Sequence, residues 1–117
     1  MSAKAILVVD DEPINYKLLN AILSRNGYSV QYAENGYKAI DMTHDNEYDL
    51  IIMDIKMPGI NGIETSRQII KEKPGTTVIA SSAKNEMDAS EYSLFVDFLS
   101  KPINRERLLS LVEKYAK

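Results

Sequence analysis

The chain has no cysteine, which excludes disulfide bonds, thiolate chemistry and zinc sites built on cysteine. No apolar run is long enough to cross a membrane, and residues 1–4 lead directly into a predicted strand without a signal-peptide core. Basic residues are not concentrated either: 14 lysines and arginines are balanced by 17 acidic residues, for a net charge of -3. This balance argues against direct nucleic-acid binding. We therefore expect a cytoplasmic protein that binds neither membrane nor nucleic acid.

The remaining composition is typical of a folded domain. Of the 117 residues, 44% are hydrophobic and 26% are charged, which is enough to build a hydrophobic core. We take residues 1–117 as a single domain. His44 is the only histidine and has polar neighbours, so we expect it to be exposed. Tyr28, Tyr32 and Tyr37 are interpreted as packing or edge residues rather than as a stacking platform.

Two apolar runs end in acidic residues. Ala5–Val9 is followed by Asp10 and Asp11, and residues 50–53 are followed by Asp54. Such runs predict buried parallel strands. An isolated acid after a strand more simply caps a loop or a helix, but two neighbouring strands would bring these acids to one edge of the sheet, where open α/β sheets bind ligands. Three clustered carboxylates hold a proton or recruit a hard divalent cation.

Predicted strands and helices alternate along the whole chain. This alternation predicts an α/β fold, a doubly wound parallel (βα)5 sheet of the flavodoxin-like type with strand order 2-1-3-4-5. In that order strands one and three are neighbours, and Ser82 and Lys101 follow strands four and five at the same edge. The strands are predicted at residues 5–9, 28–32, 50–54, 76–81 and 96–100, and the helices at residues 13–25, 37–43, 63–73, 84–92 and from Asn104 onward.

An apolar stripe supports the first of these helices. Ile14, Leu18 and Ile22 recur at helical spacing, with Leu19 and Leu23 beside them, which predicts a core-facing surface.

Four segments of the chain resemble the receiver domain of two-component response regulators, the CheY-like superfamily. They are LVVDDEP at 7–13, DLIIMDIKMPGING at 49–62, Ser82-Ala83, and KPI at 101–103. Each alone is a weak motif, but all four in this order are a strong signal, and the resemblance covers nearly the whole chain. It implies that Asp54 accepts a phosphoryl group from a phosphohistidine of a histidine kinase or histidine phosphotransfer protein. The modified surface would then control a partner or an output domain.

The resemblance also implies a Mg²⁺ site beside the phosphoacceptor. Asp11, Asp54 and the backbone carbonyl of Lys56 would bind the ion directly, and Asp10 would act chiefly through a bound water. A hard cation is suited to this role because it offsets the repulsion between the carboxylate and the phosphoryl oxygens.

The remaining implied roles concern phosphoryl binding and switching. Lys101 would pair with a phosphoryl oxygen, and the Ser82 hydroxyl and the Ala83 backbone N–H would bind the others. Movement of Ser82 would let the ring of Phe98 rotate. The Lys101-Pro102 peptide bond is expected to be cis, as in the family. Without the resemblance, Lys101 would be interpreted as a surface lysine, Ser82 as a turn residue and Phe98 as part of the core.

Two features depart from the family pattern. The segment between Ser82 and Lys101 is about one helical turn short, which leaves open whether the fourth helix is short or the output surface lies elsewhere. Lys56 and Lys84 flank the expected path of a hydrolytic water, so we predict slow autodephosphorylation.

Two alternative functions stay open for the domain. One is a Mg²⁺-dependent phosphohydrolase that uses Asp54 as nucleophile, and the other is a pseudo-receiver that acts through its shape alone. Lys56 stands where such a hydrolase needs a second acid.

Overall fold

A five-stranded parallel sheet forms the centre of the protein. The computed structural model describes residues 3–83 and 91–116. The strand order is β2-β1-β3-β4-β5, which confirms the predicted fold class. In chain order the strands are β1 (Ala5–Val9), β2 (Ser29–Ala33), β3 (Leu50–Asp54), β4 (Val78–Ser82) and β5 (Asp97–Ser100).

Four α-helices and one 3-10 turn are found in the described residues. The helices are α1 (Pro13–Arg25), α2 (Gly36–Asp45), α3 (Gly62–Glu72) and α4 (Arg105–Tyr115), and the 3-10 turn is Tyr92–Leu94. The helix predicted at 84–92 falls mostly outside the described residues, and at its predicted end the chain forms the 3-10 turn. Across residues 3–83 and 91–116, the helices are too short or too polar to cross a membrane.

Asparagine caps fix the start of three helices. In each case the side-chain oxygen accepts a backbone N–H from three residues further on, at 2.8 to 2.9 Å. Such caps stabilise a helix because its first N–H groups have no partner within the helix. The capping residues are Asn35, Asn61 and Asn104.

The core has two layers, one on each face of the sheet. One layer packs Leu7, Ile51 and Met53 against α2 and α3, and the other packs Val8 and Ile52 against α1 and α4. All five residues of β3 are buried, because helices cover both faces of this central strand. The carboxylate at its end is therefore held on a rigid element.

The predicted orientation of α1 was partly wrong. Leu19 and Leu23 are buried, at 2% and 0% exposure, but Ile14 is 71% exposed and Leu18 is 46% exposed. The physical reason is that five apolar residues cover more of the helix circumference than one contact with the sheet can bury. Packing against the sheet selects the line through Leu19 and Leu23, which leaves Ile14 and Leu18 at the surface.

Candidate functional site

The acidic residues predicted to meet do so at the carboxyl edge of the sheet. β1 and β3 are neighbours with Val9 opposite Met53, so the next residues, Asp10 and Asp54, emerge side by side. Both are only 3% exposed. Carboxylate oxygens of Asp10, Asp11 and Asp54 all lie within 4.8 Å of one another. These oxygens form a donor set that suits a hard divalent cation, so the three side chains could together hold a metal ion.

The Asp10 residue is fixed at both its side chain and its backbone. Its Oδ1 accepts the N–H of Glu12 at 2.9 Å and the side-chain amide of Asn15 at 3.4 Å. Its own N–H donates to the carbonyl of Ala33 at 3.1 Å, and its carbonyl accepts the hydroxyl of Tyr32 at 2.8 Å. The sequence did not predict the hydrogen bonds of Asn15 and Tyr32 to Asp10, because only the three-dimensional arrangement brings these residues together.

Lys101 reaches into the acidic cluster from the end of β5. Its Nζ lies 3.0 Å from Asp54 Oδ1 and 3.7 Å from Asp10 Oδ2. Its backbone N–H donates to the carbonyl of Ser82 at 3.0 Å, which ties the ends of β4 and β5 together. The Lys101-Pro102 bond is cis, as predicted. Lys101 is thus an ion-pair partner of the cluster and not a free surface lysine.

Burial and neighbouring charge shift the titration of this cluster. Burial raises the pKa of Asp54 to about 6, and the charge of Asp10 and a hydrogen bond with Asp11 act in the same direction, whereas the hydrogen bond and charge of Lys101 oppose them. Burial alone would lower the pKa of Lys101, but its hydrogen bond to Asp54 and the negative charge of Asp10 and Asp54 leave that pKa raised. One lysine therefore faces three carboxylates, which leaves an excess of negative charge that a cation would offset.

Gly62 allows α3 to begin directly against the end of β3. Its N–H donates to the carbonyl of Ile55 at 2.8 Å. A Cβ added to Gly62 would lie 2.1 Å from the backbone oxygen of Asp54, far inside van der Waals contact. Only glycine fits at this position without a shift of the backbone. Lys56, between these elements, has an exposed side chain, and the role of its carbonyl stays a prediction.

The predicted switch residues lie on β4, which neighbours β3, and on β5, which forms the edge of the sheet beyond β4. Ser82 ends β4, is partly exposed and lies next to Ser100 of β5. Ala83 follows it and is exposed, whereas Lys84 lies outside the described residues. Phe98 lies next to Ala80, two residues before Ser82.

The ring of Phe98 is half-buried and belongs to an aromatic cluster. Its centroid lies 5.0 Å from that of Tyr92 and 6.2 Å from that of Phe95, both in edge-to-face geometry. Phe98 packs against the core layer that faces α2 and α3, beside the 3-10 turn. Its role as a switch stays a prediction.

Comparison with known proteins identifies the family. The family model of the response regulator receiver domain matches residues 6–113. The chain is 40% identical over 112 residues to the transcriptional regulatory protein ResD of Bacillus subtilis, covering 92% of this chain and 46% of ResD. It is 33% identical to the protein PilH of Pseudomonas aeruginosa, covering 92% of this chain and 93% of PilH. With the sensor histidine kinase GacS of Pseudomonas protegens it shares 35% identity, over 97% of this chain and 13% of GacS.

A solved structure agrees with the same assignment. The response regulator protein TrrA of Thermotoga maritima, in complex with Mg²⁺-BeF, is 36% identical and superimposes with a TM-score of 0.89 over 96% of this chain and 98% of TrrA. The chain thus spans about half of ResD and a small part of GacS, but nearly all of PilH and TrrA. The chain belongs to the response regulator receiver domain family, the phosphoacceptor module of two-component signalling.

Proposed function

We propose that Asp54 is the residue of this receiver domain that accepts the phosphoryl group. The donor would be a phosphohistidine of a histidine kinase or of a histidine phosphotransfer protein. The observation that carries the proposal is the placement of the Asp54 carboxylate, which is buried at the end of the central strand, 3.0 Å from Lys101 and within 4.8 Å of two further carboxylates. Residues 1–117 would act as one receiver domain.

The chemistry is a phosphoryl transfer from nitrogen to oxygen. An oxygen of Asp54 attacks phosphorus, the P–O bond forms as the P–N bond breaks, and the electron pair of that bond returns to the donor imidazole. The product is an acyl phosphate. Because the pKa of Asp54 is about 6, its carboxylate is mostly ionised at neutral pH and available as a nucleophile.

The neighbouring residues would bind and orient the phosphoryl group. Lys101 already lies against Asp54 and would move its charge onto a phosphoryl oxygen, while the Ser82 hydroxyl and the Ala83 N–H would bind the others. The domain would in this way catalyse its own phosphorylation, chiefly by alignment and electrostatics.

The acidic residues would hold Mg²⁺, which is the ion in the complex with TrrA. The direct ligands would be Asp11, Asp54 and the backbone carbonyl of Lys56, and Asp10 would act chiefly through a bound water. Bound there, Mg²⁺ supplies positive charge that offsets the repulsion between carboxylate and phosphoryl oxygens.

The output of the domain would follow from the contacts of the phosphoryl group. A hydrogen bond to Ser82 would move the end of β4 and change the packing of Phe98 beside the 3-10 turn, and so alter the surface seen by a partner or an output domain. Lys56 and Lys84 would shield the acyl phosphate, which predicts slow autodephosphorylation.

Intact mass after incubation with Mg²⁺ and acetyl phosphate tests the proposal. We expect the parent chain to gain one phosphoryl group and Asp54→Asn to gain none, whereas Asp41→Asn, which removes an exposed acid of α2, behaves as the parent. Modification of Asp54→Asn to the same extent as the parent would contradict the proposal. Rapid multiple turnover of a phosphate ester would instead indicate a hydrolase, and absence of both Mg²⁺ binding and modification would indicate a pseudo-receiver.

A further inference from the structure

A tyrosine on the edge strand contacts the acidic turn but has no part in the proposed chemistry. The hydroxyl of Tyr32, on β2, donates to the backbone carbonyl of Asp10 at 2.8 Å. This contact joins residues 22 apart in sequence, at the point where β1 ends and the acidic pair Asp10-Asp11 begins. Tyr32 therefore touches the backbone that carries two of the three clustered carboxylates.

The ring of Tyr32 is held in place by a second tyrosine. Tyr16 of α1 stacks on it with ring centroids 4.4 Å apart and planes inclined by 15°. Since Tyr16 also packs against the core layer under α1, the stack connects β2 to α1, the helix that follows the acidic turn. A ring clamped in this way presents its hydroxyl at a fixed place, at little further cost in side-chain entropy.

The contacts of Asp10 leave one of its oxygens facing the site. The Asp10 carbonyl is held by Tyr32 and its N–H by Ala33, while Oδ1 accepts the hydrogen bonds of Glu12 and Asn15. Oδ2 is the atom turned toward Lys101. Because clustered carboxylates repel one another, the turn must be held for its oxygens to stay together before a cation arrives.

We propose that Tyr32 is a positioning residue for the cation site, fixing the Asp10 peptide so that the acidic pair is preorganised for a divalent cation. The inference rests on the proposed function, because it concerns the cation that phosphoryl transfer at Asp54 would use. Groups that orient metal ligands from behind commonly change metal affinity when they are removed. The chemical group involved is a single O–H, so its removal can be nearly isosteric.

Tyr32→Phe and Tyr16→Phe form a matched pair for the test. Each removes one hydroxyl and keeps the stacked rings, but only Tyr32→Phe removes the donor to Asp10. The ¹⁵N-labelled proteins are titrated with MgCl₂ and followed by amide chemical shifts. We expect the dissociation constant for Mg²⁺ to rise about five- to tenfold in Tyr32→Phe and to stay at the parent value in Tyr16→Phe. Tyr16→Leu, which removes the stack and keeps the donor, should give an intermediate rise.

A second readout separates positioning from simple stabilisation. Urea unfolding without Mg²⁺ reports any general loss of stability, whereas the Mg²⁺ concentration for half-maximal phosphorylation should rise in Tyr32→Phe with little change in the maximal rate. Equal dissociation constants for the parent and Tyr32→Phe would overturn the inference, as would equal rises in both phenylalanine variants. In those cases the proposed function would still hold if the parent were phosphorylated and Asp54→Asn were not. A parent chain that binds no Mg²⁺ would overturn the inference, and one that is in addition not phosphorylated would overturn the proposed function as well.

Discussion

At the scale of single residues, Asp54 carries a charge that the fold opposes. Its pKa is raised from 3.8 to about 6, chiefly by burial. A carboxyl group whose pKa is higher in the folded state binds protons more tightly there, so folding stability falls as the pH rises between about 4 and 6. The ionised site is therefore a source of instability at neutral pH when no cation is bound.

Asp54→Asn should consequently stabilise the Mg²⁺-free protein. We expect its free energy of unfolding above pH 6 to exceed that of the parent by about 1 to 3 kcal/mol, since one pKa unit corresponds to about 1.4 kcal/mol. The gain should shrink as the pH falls toward 4. Urea unfolding at several pH values measures it, with Asp41→Asn as the control for loss of an exposed acid. Parallel pH profiles for the parent and Asp54→Asn would contradict the prediction.

Gly62 offers a second residue-scale prediction. Gly62→Ala places a Cβ 2.1 Å from the Asp54 oxygen and 2.8 Å from the Ile55 Cα, so α3 must shift away from β3. We expect a loss of about 1 to 3 kcal/mol in the free energy of unfolding and slower phosphorylation. Gly75→Ala is the matched control, because a Cβ there meets nothing within 4 Å. Equal free energies of unfolding for the two variants would contradict the prediction and show that α3 can move away from β3 without loss of stability.

At the scale of elements, hydrogen bonds to one carboxylate attach α4 to β5. The Asp97 side chain accepts the Arg107 guanidinium and the Tyr115 hydroxyl, each at 3.0 Å. Burial alone would raise the pKa of Asp97, but these two contacts and the N–H of Phe98 lower it overall. Phe98, the predicted switch residue, follows Asp97 in the same strand.

Asp97→Asn should loosen this attachment. A carboxyl group whose pKa is lowered in the folded state contributes stability at pH values above 3.8, and that contribution is lost as the pH falls through the folded-state pKa. We expect a destabilisation of about 1 to 2 kcal/mol at neutral pH, which shrinks as the pH falls below 3.8. Thermal or urea unfolding across this range measures it. Exposed Asp45→Asn serves as the control, and a loss that is independent of pH would contradict the assigned cause.

An ion pair also joins α2 to α3. His44 and Glu72 are hydrogen-bonded at the surface, and this contact raises the pKa of His44. His44 was expected to be exposed and is, but the structure adds the partner. The pair contributes to stability below pH 6.5, and the contribution disappears as the pH rises through the folded-state pKa.

Glu72→Gln should lower the pKa of His44 toward its ordinary value of 6.5. Because His44 is the only histidine of the chain, its imidazole signals can be followed without overlap in a ¹H NMR titration. Glu113→Gln, on α4, is the control and should leave the titration unchanged. A His44 midpoint that is the same in the parent and Glu72→Gln would mean that the pair does not persist in solution.

At the scale of the whole molecule, the sequence predicted what parallel-sheet geometry determines. Apolar runs that end in acids placed Asp10, Asp11 and Asp54 together, because adjacent parallel strands share their carboxyl edge. Lys101 joined them because β5 ends at the same edge. Contacts between distant side chains could not be predicted in this way. The hydrogen bond from Tyr32 to Asp10 depends on how the elements pack and not on any local pattern.

The orientation of α1 is a second feature that the sequence could not predict. Helical periodicity indicates that an apolar face exists, but tertiary packing decides which line of it is buried, and Ile14 and Leu18 lie outside that line. The helix predicted from Lys84 to Tyr92 falls mostly on residues 84–90, outside the described part of the chain, and stays a prediction; the 3-10 turn at Tyr92–Leu94 had no signal in the sequence.

Phosphorylation should change contacts at the ends of β4 and β5. A phosphoryl group on Asp54 would draw Lys101 away from its 3.0 Å contact and give Ser82 a new acceptor. Phe98 lies opposite Ala80, two residues before Ser82 in β4, and its ring packs on Tyr92. A movement of Ser82 should therefore alter the packing of Phe98 and Tyr92. We expect the NMR signals of the Phe98 amide and ring to shift on phosphorylation. Those of His44, near the C-terminal end of α2, should stay in place.

Ser82→Ala tests whether the hydroxyl carries this response. The variant should still be phosphorylated at Asp54, more slowly, but the Phe98 signals should shift much less than in the parent. Ser100→Ala is the matched control, because Ser100 lies beside Ser82 in the sheet and has no proposed contact with the phosphoryl group. If Phe98 responds equally in all three proteins, the signal leaves the site by another route; the Lys101 backbone, hydrogen-bonded to the Ser82 carbonyl, would then be the connection to test next.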